Sequence, residues 1–271
     1  MFRQIIVFVV LAHGATPVLR AQTAGRLEAQ ARATIQGIWS TVFTVPDHPD
    51  WSVEDHFCAF GALALSFCPP AARERLRAWL ADPANYNRPL SALRQEANQV
   101  RNQFLERIMT DGARERRARY DPAADPESRC DRPPGLITHL MTSLPVAIDV
   151  HDERVLFRYD GSNTVRTIEI TDRGAPAGEP TLLGSSTARF EGAALIVESR
   201  NVAGSTTRFH TTTDGTRVVE RYMTSDGGRR LELELTIDDP ASFREPLVLL
   251  HSRIRTPDET ILGPLPCEAS Q

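Results

Sequence analysis

Lysine is missing from this chain: all 31 basic residues are arginine. That excludes Schiff-base chemistry on a lysine and any phosphate loop built around one. A glycine-rich nucleotide loop is also absent, and so is a Gly-x-Ser-x-Gly elbow, because Gly184-Ser-Ser-Thr-Ala lacks the second glycine. Ser185 and Ser186 therefore read as turn residues rather than nucleophiles. Positive charge is in deficit overall, with a formal net charge of −4, which argues against nucleic acid or an anionic lipid surface as partner. No segment after the first few residues is apolar enough to span a bilayer. Aromatic residues make up only 7%, yet hydrophobic content of 41% against 24% charged leaves material for a sizeable core in 271 residues. No spacing typical of a metal site occurs, and no cofactor is expected.

The N-terminus reads as an export signal. Arg3 supplies a positive start, Ile5 to Ala12 is an apolar run, and small or polar residues follow. Cleavage is expected after Ala21, with Gly14 as the alternative, and the product is expected in the periplasm or outside the cell. No cysteine lies near either cut to carry a lipid. The four cysteines, Cys58, Cys68, Cys130 and Cys267, are an even set in an exported chain, which favours disulfides. Of the three possible pairings, Cys130–Cys267 with Cys58–Cys68 is preferred, the first joining the start of the β-rich region to the C-terminus. On one continuous helix Cys58 and Cys68 would stand ~15 Å apart, against a disulfide limit of ~7 Å. The second pair thus needs a helix that ends before Pro69-Pro70.

Three regions follow from the patterning: a signal at 1–21, an N-terminal strand and helical region at 22–133, and a β domain at 134–271. Residues 22–36 form a polar, partly helical lead-in, and Ile38 to Val45 reads as a strand. Ser52 and Asp55 resemble a capping box. A short helix with Leu76, Trp79 and Leu80 on its buried face runs to Asp82-Pro83. The longest helix opens at Pro89, carries Leu90, Leu93, Ala97, Val100, Phe104 and Ile108 on one face, and ends at Gly112. Arg114 to Arg119 is a solvated helix face, and Asp121 to Pro134, with its prolines, a linker.

From Pro145 the period becomes two. Strands are expected at 146–150, 154–159, 165–171, 194–200, 206–212, 217–224, 229–238 and 247–255, several separated by Asp-Gly or Glu-Gly turns. With the early strand this makes nine, and closure removes the exposed edges of so wide a sheet. The expected class is α+β: an antiparallel meander β-barrel with an N-terminal helical region. Gly37-Ile38-Trp39 matches the Gly-x-Trp start of lipocalin-like barrels, a match of two residues.

Several segments together resemble a group of exported bacterial proteins of unknown function. These are Cys130-Asp-Arg-Pro-Pro-Gly135, Arg166-Thr-Ile168, Gly184-Ser-Ser186, Arg189-Phe-Glu-Gly192, Val219-Glu-Arg-Tyr222, Thr236-Ile-Asp-Asp-Pro240 and Cys267-Glu268. The resemblance covers roughly residues 82–268. It implies an exported barrel-like domain and pairing of the two matched cysteines, and it carries no established activity. The chain departs from the group where the group has histidines: Ala175 and Ser185 stand at two such positions, and His210 fits a third only with a shift of two residues. Imidazole is what would ligate a metal or exchange protons near neutral pH, so most of any such site is absent here.

The candidate residues follow. Asp47, His48, Asp50, Glu54, Asp55 and His56 form a polar cluster, best read as a hydrated loop and an acidic helix start. His139, His151, His210 and His251 are isolated in sequence. His210 and Glu220 are the candidates for acid–base catalysis. Arg189, Glu191, Arg221 and Tyr222 are the candidates for ligand binding, or for one buried network, since guanidinium groups make bidentate pairs with carboxylates. The expected role is a non-catalytic barrel binding a small hydrophobic or aromatic ligand. The alternatives are a periplasmic enzyme using a histidine–acid pair and an envelope protein docking a partner through its helical region.

Overall fold

Alternation builds the wall. In Arg230–Asp238 the leucines and Ile237 are buried while Glu232, Glu234 and Thr236 face outward, as a strand with one wet face requires. A computed structural model of the chain describes residues 17–40, 78, 82–85, 99, 102–142, 144–207, 210–257 and 263. Nine strands close a barrel in sequence order. They are β1 (Gly37–Ser40), β2 (Val146–Val150), β3 (Arg154–Tyr159), β4 (Thr164–Ile170), β5 (Ser185–Glu191), β6 (Ala194–Val202), β7 (Thr216–Ser225), β8 (Arg230–Asp238) and β9 (Leu247–Thr256). Among the described residues the helices with bounds are α1 (Pro17–Ile35), α2 (Asp111–Ala118) and α3 (Leu136–Met141).

The expected purely antiparallel meander is wrong at one seam. β4 and β5 run parallel, aligned only through Glu169↔Thr187 and Ile170↔Ala188, while the other neighbours, β9 with β1 included, are antiparallel. Closure requires this. Walking once round a ring, direction must return to its starting sense, so antiparallel neighbours must be even in number. Nine strands therefore need at least one parallel pair, and residues 171–184 provide the return path that such a pair demands. The barrel is thus mixed.

Two further strand expectations fail in compensating ways. Gly184-Ser-Ser, where the sequence suggests a turn, opens β5. Gly184 has φ +66°, and a Cβ there would sit 2.5 Å from the Arg200 carbonyl oxygen. Residues 206–212 are no strand and contribute only an isolated Thr206↔Thr211 bridge. Asp239 holds this region down, accepting from the Thr213 backbone N–H at 2.7 Å and from the Thr213 and Thr216 hydroxyls. Gly112 does not end a helix. It lies in the first turn of α2, whose N-cap is Thr110, with Oγ1 accepting from the Ala113 N–H. Much of the expected helical region, Ser52, Asp55 and the polar cluster at 47–56 included, lies outside the described residues, as do residues 41–45 of the early strand.

Helices cover both mouths. α1 contacts β2, β5, β6 and β7. Arg32 on α1 donates to the His151 and Asp152 carbonyls in the β2–β3 turn and lies 4.4 Å from the Phe190 ring centroid. Ala31, Ile35 and Trp39 join the barrel core. At the opposite mouth α3 is buried along its whole length. Its His139 ring stacks on Tyr159 at 4.5 Å. Arg253 projects from β9 and donates to the Thr142 and Leu144 carbonyls that end the helix, the latter at 2.6 Å. The barrel draws β1 from well before residue 134.

Candidate functional site

β3 to β7 each point a polar side chain inward, and these meet at one guanidinium. Arg166 shares the inner face of β4 with Ile168, and Glu220 shares that of β7 with Val218 and Tyr222. Arg166 Nη1 lies 2.8 Å from Glu220 Oε1, with the Arg166 side chain 4% exposed and that of Glu220 0%. Arg166 Nη2 donates to Ser186 Oγ at 2.9 Å and Ser199 Oγ at 2.6 Å, and Nη1 reaches Tyr159 Oη at 3.4 Å. Tyr222 Oη donates to Glu220 Oε2 at 2.6 Å. Phe157 lies beneath, its ring centroid 5.8 Å from the Arg166 guanidinium carbon. One side chain on β4 thus touches β3, β5, β6 and β7. Burial pushes the Tyr159 hydroxyl up to about 12 and the Tyr222 hydroxyl well above its ordinary value, so both stay protonated donors. Phe157, Ile168 and Val218, which share the inner faces of the same strands, are fully buried beside it.

The expected ligand set Arg189, Glu191, Arg221 and Tyr222 does not assemble. Neighbours along a strand point to opposite faces. Arg189 and Glu191 form a solvent-exposed ion pair outside the barrel at 2.7 Å. Arg221 also faces out, donating to Met223 Sδ, while Tyr222 and Glu220 are inside. The single buried network therefore contains Glu220 and Tyr222 and excludes the other three. Of its remaining members, Arg166 belongs to the strand arginines that could point inward to a carboxylate and Ser186 to the expected turn, while Ser199 and Tyr159 carry no expectation from sequence. Parity would have found them: Arg166 lies on the apolar side of Thr-Val-Arg-Thr-Ile-Glu-Ile.

His210 lies outside any strand and is buried. Its Nε2 contacts Thr138 Oγ1 at 3.3 Å, and Thr138 Oγ1 donates to Glu127 Oε2 at 2.9 Å. The histidine thus meets an acid through a hydroxyl, and no direct pair with Glu220 forms. Burial, with Arg117 and Arg132 adding to it, pushes His210 down to about 4, and Asp125 opposes. Burial, then Arg166, pushes His139 to about 4, and burial takes His251 well below its ordinary value. The His210 Nδ1 atom is buried without a hydrogen-bond partner. Among the described residues no three His, Cys, Asp or Glu are placed to hold a metal ion. No described helix is long and apolar enough to cross a membrane. No free cysteine is present among the described residues, Cys130 included, and Cys58, Cys68 and Cys267 lie outside them.

These histidines predict an acid-labile fold. Their folded pKa values lie below the unfolded value near 6.5, so between pH 6.5 and about 4 the unfolded chain binds more protons. Stability is complete above pH 6.5 and falls through that window by about 1.4 kcal/mol per pH unit for each such histidine. Below the ordinary carboxylate range Glu198 adds to the loss, because hydrogen bonds from Arg217, ahead of those from Arg200, hold it near 2. Urea titrations from pH 8 to 4.5 should show a flat plateau and then a steady fall; a midpoint unchanged down to pH 5 would contradict buried neutral imidazoles.

An open pocket lies beside the barrel rather than in it. It has a volume of about 330 Å³ and is bounded by α2, the 119–132 segment and the start of the β6–β7 connection. Arg116, Arg119 and Arg132 line it, with Tyr120, Ala124 and Pro126 giving apolar surface. No protein-family model and no curated protein matches this chain.

Proposed function

We propose that this chain is an exported, non-catalytic barrel protein that binds a small, partly apolar ligand, and that the ligand sits in the pocket beside the barrel. The pocket itself is the observation that carries this reading: about 330 Å³, within the size range of small-molecule sites, with apolar and polar walls. The Arg166–Glu220 pair, 4% and 0% exposed inside the barrel, supports placing the ligand outside it. Export rests on the N-terminal sequence, and pairing of Cys130 with Cys267 is part of the same proposal. A thermal-shift screen of aromatic and aliphatic small molecules tests it. A binder should raise the melting temperature of the native chain and lose that effect in Ala124→Trp, which fills the pocket from an exposed position. A shift that survives Ala124→Trp, or no shift from any compound, overturns the proposal.

A further inference from the structure

Three guanidinium groups, Arg116, Arg119 and Arg132, line one small pocket with two carboxylates, Asp121 and Asp125, so one positive charge is left over and the carboxylates are turned to local hydrogen bonds. Asp125 is committed to its own loop: Oδ2 accepts from Tyr120 Oη at 3.0 Å and Ser128 Oγ at 2.9 Å, and Oδ1 from the Glu127 N–H. Asp121 Oδ1 accepts from the Ala123 N–H at 2.9 Å. Glu127 accepts from the Gly135 N–H and Thr138 Oγ1, and stands 3.5 Å from Arg132.

The arginines are less well matched. Arg116 donates to Ser242 Oγ at 2.7 Å and to the Ala241 carbonyl at 3.4 Å, both neutral acceptors. Arg119 reaches Glu115 only at 3.8 Å, with both side chains about three-quarters exposed, where water and salt screen the pair. The Nε atoms of Arg116 and Arg132 are buried and lack a hydrogen-bond partner, a state that costs most when the group is charged. Ser205 and Thr206 add hydroxyl-bearing residues to the same pocket.

We infer that the ligand of this pocket carries an anionic head, a carboxylate, sulfonate or phosphate, gripped by Arg119 and Arg132 with Arg116 supporting, while its apolar part lies against Tyr120, Ala124 and Pro126. This rests on the pocket reading above and adds the ligand's chemical class. A planar fork of donors suits such heads, because two parallel N–H bonds can form to one anion.

Calorimetric titration of the full chain in a cationic buffer, with benzoate, benzamide, inorganic sulfate and inorganic phosphate as probes, decides it. Benzoate is expected to bind at least tenfold more tightly than benzamide, and Arg119→Gln to weaken benzoate at least tenfold without shifting the melting temperature. Raising salt from 50 to 300 mM should weaken benzoate further, and Ala124→Trp should abolish its binding. Benzamide binding as tightly as benzoate, and being lost in Ala124→Trp, overturns the anionic class while leaving the pocket reading intact. Binding of benzoate that persists in Ala124→Trp overturns both. No heat from benzoate, sulfate or phosphate up to 10 mM overturns the inference, as does an Arg119→Gln variant with unchanged benzoate affinity.

Discussion

Arg166→Ala will destabilise the fold by about 3–5 kcal/mol, the range found when one partner of a buried ion pair is deleted. The melting temperature should fall on the order of 10 °C. The variant strands Glu220, whose side chain is fully buried, and removes the donors that Ser186 and Ser199 accept from. Glu220→Leu should cost a similar amount from the other side. The double variant Arg166→Met with Glu220→Leu should recover much of the loss, since an apolar pair of similar volume is often no worse than the ions it replaces. Urea denaturation of the three variants measures it. If each single change costs under 1 kcal/mol, or the double costs the sum of both, the cluster is not the coupled unit its distances describe.

Gly37→Ala should cost at least about 3 kcal/mol, because two penalties combine. The position has φ +137°, where L side chains are strained by about 1–3 kcal/mol. A Cβ there would also stand 2.2 Å from Arg255 Nη1. Arg255 cannot yield cheaply. Its guanidinium donates to the Thr34, Gln36 and Gly228 carbonyls and lies 4.4 Å from the Trp39 ring centroid. It thereby fastens the end of α1, β1 and the β7–β8 turn to β9. Gly25→Ala is the matched control: no atom lies within 4 Å of an added Cβ, and in a helix the change should stabilise by about 0.5–1 kcal/mol. Chemical denaturation of both variants on one scale should give opposite signs, and equal small effects would refute the Arg255 clasp.

Legibility from sequence tracked how local the cause was. Strands with strict alternation and Asp-Gly turns, such as β3, β7 and β8, were readable because their burial pattern and their ends are both written within ten residues. β5 was not, because it mixes small and polar residues: its inward Ser186 is satisfied by Arg166, a partner twenty positions earlier. The stretch 206–212 misled in the opposite direction. It has a strand-like composition, but Asp239, far along the chain, fixes its neighbour Thr213 in an irregular path. α3 was overlooked for its shortness; six residues show less than two turns of any period, and burial on all sides leaves no polar stripe. The candidate pocket was beyond reach, since Arg116 and Arg132 belong to segments read as a solvated helix and a linker. The parity of the ring, by contrast, was available: nine strands and closure together forbid an all-antiparallel wall.

That odd count concentrates weakness in one place. Along β7 and β8 nine residue pairs share the load, whereas the parallel junction has two. Breathing of the cylinder should begin there, and the amide proton of Thr171, which donates across the junction to the Ala188 carbonyl, should trade with deuterium well ahead of those in the opposite wall. Arg166 bridges this gap from within, like a bolt across a split hoop, so the charge sealed in the lumen belongs to the mechanics of closure.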